Sequence, residues 1–93
     1  MVIPITESVE EIRLVNCNIG DEGAIELFGE LEGIDKICNI ELSSNPITEK
    51  SFPALLKLLE KNKNIKRIEI TNLKVKSKFA LNKLKSVSDK VIF

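Results

Sequence analysis

Residues 37–47 read ICNIELSSNPI, with apolar side chains at Ile37, Ile40, Leu42 and Ile47, and Asn45 between the last two. Started at Val9 instead of Ile37, the same frame holds Val9, Ile12, Leu14 and Ile19, with Cys17 in the Asn45 position. Started at Ile65, it holds Ile65, Ile68, Ile70 and Val75, with Leu73 in that position. The three starts are evenly spaced, and an internal period of this length is the mark of a chain built from stacked structural units.

The period extends beyond the quoted stretch. Counting each unit from Val9, Ile37 and Ile65, positions 1, 4, 6, 11, 16, 19, 20 and 23 supply 24 sites, of which 23 are apolar; the exception is Lys83. The first half of each unit alternates with period two, so Ile12 and Leu14, Ile40 and Leu42, and Ile68 and Ile70 fall on one side of short strands near 11–14, 39–42 and 67–70. The second half has helical spacing. Ala24, Leu27, Phe28 and Leu31, then Phe52, Leu55, Leu56 and Leu59, follow the i, i+3, i+4, i+7 rule, and Ala80, Leu84 and Val87 follow it more weakly.

These spacings predict helices near 21–32, 49–62 and 77–88. Asp21 and Glu22 place negative charge at the start of the first, and Thr48 or Ser51 can cap the second. Pro53 is tolerated in that helix's first turn. Gly33 and the Asn62–Asn64 pair suit helix exits. Strand followed by helix, in the same order each time, predicts an α/β chain with parallel strands in register and helices on one side.

The segments VEEIRLVNCNI, ICNIELSSNPI and IKRIEITNLKV resemble the LxxLxLxxNxL pattern of ribonuclease-inhibitor-like leucine-rich repeat proteins. The resemblance runs from Val9 to about Val87. It implies a curved solenoid of three units, 9–36, 37–64 and 65–92, within a single domain of residues 1–93. It also implies a strand-lined concave face that binds protein and carries out no chemistry. In that family the ninth-position side chain, Asn or sometimes Cys, hydrogen-bonds the loop backbone of neighbouring units. Leu73 cannot do this. Val2, Ile3 and Ile5 are a candidate N-terminal cap within 1–8, with Pro4 compatible with an edge strand. Phe93 falls on the first position of a fourth unit.

Strand residues pointing away from the core are Glu11 and Arg13, Asn39 and Glu41, and Arg67 and Glu69, and they form the expected protein-binding site. Neighbouring strands lie about 4.8 Å apart, so Arg13 should face Glu41. Read without the resemblance, these six residues are a solvated face with one weak ion pair. Three strands of about 17 Å cover roughly 250 Å², against about 800 Å² per partner in a stable interface. A partner must therefore also grip the loops 16–18, 43–46 and 71–74, or be weakly held.

Other chemistries find little support. The chain has no His, Tyr or Trp, no metal-ligand cluster and no phosphate-binding glycine loop, so neither an enzyme nor a cofactor is expected. Cys17 and Cys38 occupy different positions in their units, about 23 Å apart along extended chain, which is beyond disulfide reach. Both are read as free thiols, with Cys17 structural. No His activates Cys38. Residues 1–8, MVIPITES, carry no Lys or Arg and no long apolar block, and no apolar run reaches membrane-spanning length. These features predict a cytoplasmic protein without a membrane segment.

Charge is strongly polarised. Residues 1–36 carry two basic and nine acidic side chains, a net of −7, whereas residues 65–93 carry eight and two, a net of +6. The basic end has one Arg and few aromatics, which argues against nucleic acid. The leading expectation is a non-catalytic interaction module. Alternatives are a self-associating solenoid subunit and an inhibitor acting by charge. Self-association is expected at the C-terminal end, where Ile68 and Ile70 would lie open and the last strand would offer an unpaired edge. Val91, Ile92 and Phe93 would either add to that surface or close over it.

Overall fold

The computed structural model describes residues 9–92. The elements follow the chain as β1 (Glu11–Arg13), α1 (Asp21–Leu31), β2 (Asn39–Glu41), α2 (Phe52–Lys61), β3 (Arg67–Glu69), α3 (Lys78–Val87) and β4 (Val91–Ile92). The strands form one sheet in the order β1-β2-β3-β4, and each pairing is parallel. The candidate cap at Val2, Ile3 and Ile5 lies outside the described residues, as does Phe93.

The period of the sequence is the register of the first three strands. Ile12 pairs with Ile40, and Ile40 with Ile68. Main-chain bonds continue the ladder past the strand ends: the Leu14 N–H donates to the Glu41 carbonyl (2.9 Å) and the Leu42 N–H to that of Glu69 (2.9 Å). Alternation then decides the faces. Ile12, Ile40 and Ile68 are buried with the helices, while their neighbours in sequence are on the open side. Leu42, at 0% exposure, sits in the middle of this core.

The helices show where local sequence rules give way. A 3-10 turn at Glu49–Ser51 opens the second helical segment, with the Thr48 hydroxyl accepting from the Lys50 N–H, while Ser51 makes no capping bond to α2. Pro53 lies in the first turn of α2, where its missing N–H costs no intrahelical bond. Leu58 replaces Leu56 in the fully buried set, because α2 lies between two helices and Leu58 is enclosed while Leu56 is only half covered.

The C-terminal end differs most from expectation. The third unit is shorter than the others. Residues 32–38 separate α1 from β2 and 62–66 separate α2 from β3, but only 88–90 separate α3 from β4. Val91 therefore reaches the sheet early and pairs with Ile68, and the Ile70 N–H donates to the Ile92 carbonyl (2.8 Å). Ile68 and Ile70 are 0% and 4% exposed, so the open apolar end expected there is closed by Val91 and Ile92 of β4. The free strand edge moves from β3 to β4.

Polar side chains tie successive units together. Asn62 Nδ2 donates to the carbonyls of Leu31 (2.9 Å) and Ile34 (2.8 Å), satisfying the exit of α1 from the unit behind it. Asp21, at the start of α1, accepts from the Thr48 N–H (2.9 Å), the Thr48 hydroxyl (2.6 Å) and the Ser51 hydroxyl (2.5 Å). Partial burial opposes its charge, but the bonds from Ser51 and Thr48, with Lys50 nearby, outweigh it and hold the carboxyl below its ordinary value.

Two outcomes follow from this packing. Leu42→Ala should lower unfolding stability by about 2–5 kcal/mol in a urea titration. Asp21 is held below its unfolded pKa, so its contribution is complete at neutral pH and is lost as pH falls through the depressed value. Denaturation midpoints followed below about pH 4 should therefore fall less steeply for Asp21→Asn than for the wild type.

Candidate functional site

Each strand contributes two side chains to the open face because its middle residue is committed to the core. The register sets Glu11 beside Asn39 and Asn39 beside Arg67 in one row. A second row runs Arg13, Glu41, Glu69. All six expected residues are thus brought onto one surface, and they line a shallow hollow of about 330 Å³ over Ile40.

Within the face the charges are paired with each other. Arg13 Nε lies 3.0 Å from Glu41 Oε2, as the register requires, and 3.6 Å from Glu11 Oε1. Arg67 turns along its own strand to Glu69, at 2.9 Å. Each carboxylate of the adjacent pair Glu41 and Glu69 therefore has its own guanidinium, which offsets the cost of placing like charges on neighbouring strands. The Arg13 side chain is 67% exposed and that of Arg67 54%, so each ion pair contributes about 0–1 kcal/mol. A ligand's charged groups can replace such pairs at little cost.

Ile92 extends the second row. It pairs with Glu69, shares its face and is 37% exposed. Counting by the strict period concealed it, because the shortened link after α3 brings β4 to the sheet early. The β-branched pair Val91–Ile92 was the available signal.

Beside this face, the loops leaving the strands stand in line. Asn16, Ser44 and Asn72 all take the left-handed conformation, with φ of 54°, 61° and 53°, and Asn18 does so at 55°. Asn tolerates this backbone better than most residues, and Ser44 is the more strained of the set. The Asn72 amide donates to the Ser44 hydroxyl (3.1 Å). A second hollow of about 340 Å³ opens here, lined by Asn16, Asn18, Ser44, Pro46, Asn72 and Lys74, among others.

Asn45 positions these loops and is 2% exposed. Its Oδ1 accepts from the N–H groups of Cys17 (2.9 Å) and Ile19 (3.0 Å) in the preceding unit. Its Nδ2 donates to the carbonyls of Leu14 (2.7 Å) and Leu42 (2.8 Å). Cys17 takes part through its backbone only. Its thiol is exposed and donates to the Val15 carbonyl of its own loop at 3.4 Å, a local contact rather than one between units. Leu73 packs against the core, and the third loop is instead held by Lys74 N–H to the Ile47 carbonyl (3.0 Å) and Thr71 N–H to the Ser43 hydroxyl (3.0 Å).

Both cysteines are free, and Cys38 lies against the Glu10 carbonyl at 3.4 Å. Among the described residues no group of three or more His, Cys, Asp or Glu is arranged to hold a metal ion, and no helix is long and apolar enough to cross a membrane.

Asn45→Leu should be among the most damaging single changes outside the apolar core. It leaves two N–H groups and two carbonyls without their partner, at about 1–3 kcal/mol for each group that water cannot reach. The expected loss is about 3 kcal/mol or more, read from chemical denaturation. Asn45→Asp, which keeps the acceptor and loses the donors, should fall between Asn45→Leu and the wild type at neutral pH.

No protein-family model matches this chain, and no curated protein matches it.

Proposed function

We propose that this chain is a non-catalytic protein-interaction module of the leucine-rich repeat type, a short solenoid that holds a partner protein on its open sheet face and adjoining loops. One observation supports this above the rest: Glu11, Arg13, Asn39, Glu41, Arg67 and Glu69 share one in-register surface and pair only weakly among themselves. That surface has exchangeable charges but no nucleophile, base or acid poised for chemistry. The loop hollow adjoins it at the strand ends and enlarges the surface a partner can grip. Ile92 supplies an apolar contact at one side. Free thiols at Cys17 and Cys38 fit a reducing compartment, and we place the protein in the cytoplasm.

The rival reading, a subunit that stacks end to end through its C-terminal face, loses the apolar contact expected of Ile68 and Ile70, which are buried beneath β4, and retains the free edge of that strand.

A photo-crosslinking residue placed at Asn39 or at Asn72 should capture the same protein from an extract of the source cells, while one at exposed Lys36 should not. The double variant Arg13→Glu, Arg67→Glu should lose the adduct. Adducts that form equally at Lys36, or that survive charge reversal, would contradict this reading.

A further inference from the structure

The third helix does not sit as the other two do. Positions that are buried leucines in the first two units, Leu27 and Leu31, then Leu55 and Leu59, correspond one period later to Lys83 and Val87. The four leucines are 3%, 0%, 1% and 8% exposed; Val87 is 60% exposed and Lys83 is also exposed. An ammonium cannot be buried without a partner. The helix has accordingly turned to bury Leu84, with Ala80 and Leu81 partly covered beside it.

The consequence is a groove. α1 packs extensively along α2, whereas α3 meets α2 over a much shorter line. Two hollows of about 230 and 680 Å³ lie between α2 and α3, and Leu56 lines both. Phe52, Leu56 and Leu84 form an apolar part of the lining, with Lys83 and Val87 on the α3 side; the charged lining is mixed, with Glu49, Glu60 and Asp89 set among Lys63, Lys83, Lys85 and Lys90, a small basic excess. Phe79, 79% exposed, lies one turn before Lys83 on the same helix.

The opposite end of the molecule carries the complement. On the exposed side of α1, Ile25 is 43% exposed and stands between Glu22 and Glu26, both exposed. One turn later is Gly29, where a Cβ would meet nothing within 4 Å, so another helix can approach closely. This helix belongs to the segment of net charge −7, and the groove's α3 side to the segment of net charge +6.

We propose that the α2–α3 groove is a docking site for the exposed side of α1 from a second copy of this chain. Ile25 packs on the half-covered Leu56 above the buried Leu84, and Glu22 and Glu26 meet Lys83. This is helix-in-groove recognition with opposite charge at the rim. Groove and ligand helix are different surfaces of one molecule, so the contact is heterologous and propagates unless it closes into a ring. It leaves the open sheet face untouched and does not depend on that face binding anything.

Sedimentation velocity at low and high ionic strength tests this with four samples: wild type, Lys83→Glu, Glu26→Lys and an equimolar mixture of the two variants. Both substitutions are at exposed positions, and circular dichroism is to check that each variant is folded. The wild type should associate at low salt and dissociate at high salt, since screening weakens the charged rim. Each variant alone should associate about tenfold more weakly or worse. The mixture should associate again, because the reversed groove of one variant then matches the reversed helix of the other. Lys83→Leu, which restores the residue type of the first two units, should close the groove, raise the denaturation midpoint and abolish association. A wild type that stays monomeric at high protein concentration and low salt would overturn the proposal. So would a mixture no better associated than its components, which would point to another occupant such as an acidic partner protein or an anionic surface.

Discussion

A single amide side chain, that of Asn45, fixes how the first two units meet. Asn45 sits where the chain leaves β2 and must turn back towards α2, and the polypeptide there has backbone groups that no strand partner can satisfy. Its two acceptor and two main donor bonds bind the loop of its own unit and the loop of the unit before it. Burying an amide is costly unless it is fully bonded; here no buried side-chain N or O among the described residues lacks a partner. With the loops held at this spacing, successive strands pair in register and the same side of every strand turns inward. The open face, with its ordered charges, follows from that register.

Asn62 and Asp21 extend the same logic to the two ends of the helices. Each reaches across to the neighbouring unit rather than serving only its own. Glu49 repeats the Asp21 contact one unit on, accepting from the Lys76 N–H at 3.3 Å. The apolar core supplies most of the stability, but it tolerates sliding better than directional bonds do. Polar side chains that accept only one arrangement select the register from among the alternatives that hydrophobic burial alone would allow.

Much of this was legible in the sequence because side-chain period and backbone geometry are tightly coupled. Ile12, Ile40 and Ile68 announced their common face by alternation, and Arg13 opposite Glu41 followed from arithmetic. The limits were equally physical. The role of Asn62 was hidden because a helix-exit Asn looks the same whether it bonds its own helix or another. That residues 91–93 could close over the third unit was legible, but their pairing was not, because a strict period predicts position 1 at Phe93, while the chain shortens its last link and pairs Val91 with Ile68. Lys83 was visible as the one break in the pattern. Its effect, a helix turned to bury Leu84 instead, depends on how the side chain's neighbours repack, which no local rule supplies.

The central claim, that these strands run parallel at this register and that β4 closes the sheet, is tested most directly by scalar couplings across hydrogen bonds in an isotopically labelled sample. Couplings should connect the amide nitrogen of Leu14 with the carbonyl carbon of Glu41, Leu42 with Glu69, and Ile70 with Ile92. Cross-strand couplings in an antiparallel pattern, or an Ile70 amide coupled to nothing and exchanging freely with water, would contradict the account.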